Sequence, residues 1–209
     1  MSPALQSLTP ERLGAEIVRA AARFTGLREV KPNATWDNPA TPGREDALTK
    51  ELRDLMRPAP WHEGWAYCAA FAEAAVRLAL VRLGILESIA NRFLSVHGPH
   101  VMSNVAAFKA RGLLTSSSIL NGANAPGTLW LARHGATLSG HEGIVTAHDK
   151  NVGMLSTIEA NTSLDSSNPI KDREGDWITT RIFPASGRGT LRTQGFITPA
   201  AILTLLKSA

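Results

Sequence analysis

The single cysteine of the chain, Cys68, stands in Tyr67-Cys68-Ala69-Ala70-Phe71, at the head of a long apolar stretch of helical character. A thiol in the first turn of a helix lies at the positive end of the helix dipole, beside backbone N–H groups that lack an intrahelical acceptor, and both features favour the thiolate. The same N–H groups can hold the oxyanion formed when a thiolate adds to a carbonyl. Such a nucleophile needs a base, and the six histidines are His62, His97, His100, His134, His141 and His148. His141 is the best placed: in Ser139-Gly140-His141-Glu142-Gly143-Ile144-Val145 it opens an apolar strand that would fix the ring. A third polar group should orient the imidazole from a neighbouring strand. Ile158-Glu159-Ala160-Asn161 offers Glu159 and Asn161 two positions apart, hence on one face of a strand. Together these residues could perform acyl transfer through a thioester.

Other chemistries are excluded or disfavoured. One cysteine allows no intramolecular disulfide, no cysteine zinc cage and no CxxC redox pair. His97 and His100, with His134, invite a metal, but Gly98-Pro99 breaks the helical presentation that two ligands would need. That segment reads as a solvated loop, and no metal or cofactor is expected. The net charge of +4, from 22 Lys and Arg against 18 Asp and Glu, is too small and too evenly spread to imply a nucleic-acid partner. The most apolar window, Cys68 to Leu86, contains Glu73, Arg77 and Arg82, so no membrane partner is expected. The opening residues lack the basic start and apolar run of a secretory leader, so synthesis in the cytoplasm without a signal peptide is expected.

The elements that must position these side chains follow from periodicity and punctuation. A length of 209 residues, 44% of them hydrophobic, suits one domain with a real core. Thr9-Pro10-Glu11 starts a helix carried by Leu13, Ile17, Ala21 and Phe24, which Gly26 stops. Lys31 to Gly43, with Pro32, Pro39 and Pro42, reads as a loop that packs through Trp36. Helical spacing returns over Arg44–Arg57, then from near Trp65 to Leu83, and less clearly over 85–113. After Asn121-Gly122 the character changes to five short strands, at 127–132, 143–147, 154–158, 177–183 and 191–197, with Thr198-Pro199 opening a closing helix. Helices first and strands afterwards predict an α+β fold, with helices on one side of a mostly antiparallel sheet of five to six strands. Residues 1–58 read as a helical N-terminal extension packed on a 60–209 core.

The three segments around Cys68, His141 and Glu159 resemble, in order and spacing, the motifs of the CHAP family (cysteine, histidine-dependent amidohydrolase/peptidase) of papain-like cell-wall hydrolases. Ala125-Pro126-Gly127-Thr128 also resembles the family's proline-glycine turn before its first core strand, although the family has an acid where Thr128 stands. The resemblance covers about residues 60–165 and implies a papain-like fold, with Cys68 as nucleophile, His141 as base and acid, Glu159 orienting the ring, and Asn161 assisting the triad or the oxyanion. It implies peptidoglycan as partner and its amide bonds as substrate, either the lactyl–L-alanine bond or one within the stem and cross-bridge peptides. His62, six residues before Cys68, matches a spacing at which papain-type enzymes carry an oxyanion-hole side chain. Trp65, Tyr67 and Trp130, with Trp61, are candidates for lining the substrate cleft. A monomer that reaches the wall by lysis, a phage particle or a secretion machine is expected, with any inhibitor or immunity partner unspecified. Two rival readings stand beside this one: an amidase acting on a small cytoplasmic amide, and a non-catalytic assembly or binding module of the same fold.

Overall fold

The computed structural model describes residues 3–31, 35–38, 40–42, 46–56, 62, 64–116, 125–163 and 177–208. In chain order its elements are helices α1 (Pro3–Gln6) and α2 (Pro10–Ala22), strands β1 (Arg28–Lys31) and β2 (Thr35–Asp37), and helices α3 (Ala47–Met56), α4 (Cys68–Arg82), α5 (Glu87–Leu94) and α6 (Val101–Ala110). Strands β3 (Leu129–His134), β4 (Gly140–Asp149), β5 (Met154–Thr162), β6 (Trp177–Pro184) and β7 (Leu191–Ile197) follow, and α7 (Pro199–Lys207) closes the chain. The start signals act as their chemistry requires. The Thr9 hydroxyl accepts the Arg12 N–H with Pro10 as the first helical residue, and the Thr198 hydroxyl likewise accepts from the Ala201 N–H ahead of Pro199.

All seven strands form one sheet in the order β2-β1-β6-β5-β4-β3-β7, and its described pairings are antiparallel. The five strands expected from sequence are its body. The other two, β1 and β2, lie in the N-terminal segment: β1 begins before the stretch read as a proline-rich loop, and Trp36 of β2 does pack inward, against Tyr67. The segment 1–58, read from sequence as a helical extension with a loop, thus also supplies the sheet edge.

Alternation along the strands sorts side chains to two faces. Leu129, Leu131, Ile144, Ile158, Ala160 and Ile197 join the helices in the main core. Trp130, Ala132, Val145, Phe183 and Phe196 form a second apolar cluster on the reverse face. Helix α4 runs through the main core and is apolar almost all round, and its residues Cys68 to Val76 are buried without interruption, as befits a central helix rather than a surface one. Helix α2 is pressed onto the turn before β3 so tightly that a Cβ at Gly14 would fall 2.1 Å from the Pro126 carbonyl oxygen, and one at Gly127 2.4 Å from the Gly14 Cα. Only glycine fits at this crossing.

Candidate active site

Cys68 is the first residue of α4 and is 4% exposed. The preceding Tyr67 makes no side-chain capping bond, and the first helical bond runs from the Phe71 N–H to the Tyr67 carbonyl. The helix geometry therefore leaves the N–H groups of the first turn without intrahelical acceptors, beside the sulfur. The sequence expectation of a thiol in the first turn is met.

His141, the second residue of β4, is buried, and Cys68 lies near enough to favour its protonated form. Its Nε2 lies 2.8 Å from Glu159 Oε2, so Nδ1 is the nitrogen left for the thiol. The indole of Trp130 meets the ring edge-on at 6.1 Å and fixes its plane from the strand alongside. Burial pushes His141 toward the neutral form, but the hydrogen bonds and charges of Cys68 and Glu159 outweigh it and raise its pKa to about 9. The arrangement sets a protonated imidazole beside the Cys68 sulfur.

Glu159 is placed by the β4–β5 register, which sets it opposite Gly143. A Cβ on Gly143 would lie 2.7 Å from Glu159 Cγ, so the glycine after Glu142 clears the space the carboxylate chain crosses. The carboxylate is saturated with donors. The Thr157 hydroxyl donates to Oε1 at 2.6 Å, and the Arg188 guanidinium takes both oxygens, at 2.8 and 2.7 Å. Burial would raise the carboxyl, but the His141 hydrogen bond and the Arg188 charge bring it down to about 2. Arg188 itself lies over an aromatic pair, 4.8 Å from the Phe183 ring and 5.7 Å from that of Trp130, and also donates to the Thr162 hydroxyl.

Sequence reasoning did not find Arg188, Thr157 or Gly143. Arg188 sits between β6 and β7 in a stretch rich in Gly and Ser, and its guanidinium finds Glu159 only through the fold. The signal available was chemical: a buried carboxylate that must stay ionised needs a cation besides an imidazole.

The remaining candidates divide. Trp65, 42% exposed, and exposed His62 come together: His62 meets Trp65 edge-on at 4.9 Å, and the tilted His100 ring lies 5.4 Å from it. A cavity of about 260 Å³ opens there, lined by Trp65, Ala66, Pro99 and His100, just ahead of Cys68 in the chain. Trp61 and the loop 164–176 lie outside the described residues. Three expectations are corrected. Tyr67 and Trp130 are wholly buried, so neither is presented to a substrate; Tyr67 packs on Trp36 at 5.1 Å, while Trp130 bonds Thr193 through its indole N–H and backs the His141 ring. Asn161 is buried but lies at φ 56°, where the β5–β6 register slips, so the strand alternation that would set it beside Glu159 is broken there. His97 is likewise not in a solvated loop: it is buried among carboxylates.

Compared with protein-family models, curated proteins and solved structures, the chain matches none. No helix among the described residues is long and apolar enough to cross a membrane, and no group of three or more His, Cys, Asp or Glu among them is arranged to hold a metal ion.

Proposed function

We propose that the protein is a cysteine amidohydrolase that cuts an amide bond of peptidoglycan through a Cys68–His141–Glu159 triad. The observation that carries the reading is the continuous chain from a helix-start thiol through a buried imidazole to a carboxylate held ionised by Arg188. The Cys68 thiolate adds to the amide carbonyl carbon, and the oxyanion falls to the N–H groups of the first turn of α4. His141, protonated at Nδ1, gives that proton to the amide nitrogen as the C–N bond breaks, and the amine leaves a thioester on Cys68. Neutral His141 then takes a proton from water as it adds to the thioester carbonyl. The carboxylic acid departs, and thiolate and imidazolium are restored. Throughout, Glu159 keeps its charge; its task is to hold Nε2–H and favour the imidazolium.

Peptidoglycan as the substrate class is supported by the motif resemblance and by the exposed indole of Trp65, three residues before the nucleophile in the chain, a flat apolar face of the kind that sugar rings and peptide side chains pack against. Access to the wall would come by lysis, a phage particle or a secretion system, and the protein would act as a papain-like monomer. Incubation of wild type, Cys68→Ala and His141→Ala with purified sacculi, with released fragments identified by mass spectrometry, tests the proposal. Fragments with new amine and carboxyl ends should come from wild type alone. No release by wild type, together with Cys68 alkylated no faster than a free thiol, would refute it.

A further inference from the structure

A second buried cluster that the triad does not use lies between the nucleophile helix and the base strand. Glu73 of α4, Glu142 of β4, His97 from the turn between α5 and α6, and Asn104 of α6 are each 1–2% exposed. His97 Nε2 lies 2.8 Å from Glu142 Oε1 and its Nδ1 3.4 Å from Glu73 Oε2. Asn104 donates to Glu142 Oε2 at 3.3 Å and to the Gly98 carbonyl at 2.8 Å, and accepts the Gly98 N–H at 2.9 Å. Phe93 stacks on the imidazole at 5.0 Å and Phe108 meets its edge at 6.4 Å. The charged groups on His97 are thus the two carboxylates, and its other faces are aromatic or amide. Burial lowers the His97 pKa, but the Glu142 charge and the hydrogen bonds to both carboxylates outweigh it and raise it to about 10.

We propose that His97, as the cation between Glu73 and Glu142, is a positioning residue that fixes α4 against β4 so that Cys68 and His141 meet in ion-pairing geometry. The inference rests on the Cys68–His141 reading of the preceding subsection. Three observations point to it. The carboxylates belong to the two catalytic elements: Glu142 is bonded through its peptide to His141, and Glu73 rides on the helix that Cys68 opens. On the same face of that helix Ala69, Ala70, Val76 and Leu80 are apolar, and apolar contacts are non-directional, so they fix its sliding poorly. Stability alone does not account for the ions, because a buried ion group can be replaced by apolar side chains of similar volume with little loss. What hydrogen bonds add is direction, and a misplacement of about 1 Å between reacting groups can cost a hundredfold in rate.

The sign of the electrostatics makes the test decisive. The cluster carries two negative charges and one positive, so removing it would, by charge alone, make the Cys68 thiolate easier to form. Loss of position does the reverse, since the thiolate loses its imidazolium. Cys68 alkylation by iodoacetamide is followed against pH by mass spectrometry for wild type, Glu73→Leu/His97→Phe/Glu142→Leu and the milder Glu73→Gln, with thermal melts to confirm folding. Wild type should label well below the pH at which free cysteine does. Both variants should shift upward, with kcat on sacculi down at least about tenfold in the triple variant and KM little changed. Folded variants whose profile stays put or moves downward overturn this proposal while the triad reading stands. If the triple variant does not fold, the direction of the Glu73→Gln shift decides alone. A wild-type Cys68 that labels like free cysteine overturns the triad reading and this proposal with it.

Discussion

Two buried histidines are reached from consecutive residues of β4: His141 itself, and His97 through Glu142. Both lie among carboxylates, both are held protonated against the cost of burial, yet their surroundings suit them to different tasks. His141 spends one nitrogen on Glu159 and turns the other to a thiol, whereas His97 has a carboxylate on each nitrogen. An imidazolium with a nucleophile on one side can release its proton during a reaction. One closed in by two anions cannot do so without stranding them, and so acts as a tie. The carboxylates differ too: Glu159 has Arg188 as a second cation, so His141 can lose its proton without leaving the carboxylate alone.

This contrast can be broken at graded cost. Cys68→Ala and His141→Ala should each lower kcat on sacculi by more than about a thousandfold with the fold intact, measured as fragment release beside a thermal melt. Glu159→Gln should cost about a hundredfold, because the ring loses its orienting charge. Its pH–rate profile should show this directly. In the proposed mechanism His141 must hold a proton for the leaving amine, so wild-type activity should fail as pH rises through about 9; without the Glu159 charge that limb should move to lower pH. Gly143→Ala should reduce turnover about tenfold by displacing Glu159, with only a small shift in melting temperature, since the clash is with one side chain.

Stability against pH separates the two histidines further. Each has its folded pKa raised above the ordinary 6.5, so each contributes fully below that value; the His141 contribution is lost as pH rises through about 9 and that of His97 through about 10. Glu159 is depressed, so its contribution is present above 4.5 and lost as pH falls toward about 2. Alkaline melts of Glu73→Leu/His97→Phe/Glu142→Leu should lack the later part of the alkaline decline while keeping the acid one. The smallest effect belongs to a distant control: Thr9→Ala should remove about 1 kcal/mol of stability through the lost cap and leave turnover unchanged.

Much of this was legible in the chain, for reasons of scale. Caps, proline starts and alternating strands are local codes, and they located α2, α7 and the five main strands. The grouping of Cys68, His141 and Glu159 could be read because each carries a local marker: a helix start, a strand start, an alternation. Arg188, Thr157 and the His97 cluster carry none, since their meaning comes from partners far along the chain. Yet Glu73 in an otherwise apolar helix start and Glu142 within an apolar strand were each a sign that some cation must be buried with them. His97 was misread because Gly98-Pro99 signals a turn, and turns are usually wet; here Asn104 takes up the turn's polar atoms and lets it go inside. Strands β1 and β2 escaped because two short edge strands among prolines hardly alternate.

The crossing of Gly14 on Gly127 bears on how the molecule could be shortened. Without α2, the backbone of the turn before β3 would face solvent on its tightest side, and the loss of Leu13, Ile17 and Ala21 would leave an open trench along α4 and the sheet. A trimmed chain that begins at residue 60, where the motif resemblance begins, would expose the wall on which the nucleophile helix rests. Any minimal version of this protein must keep α2, and a carrier or tag is better joined beyond α7.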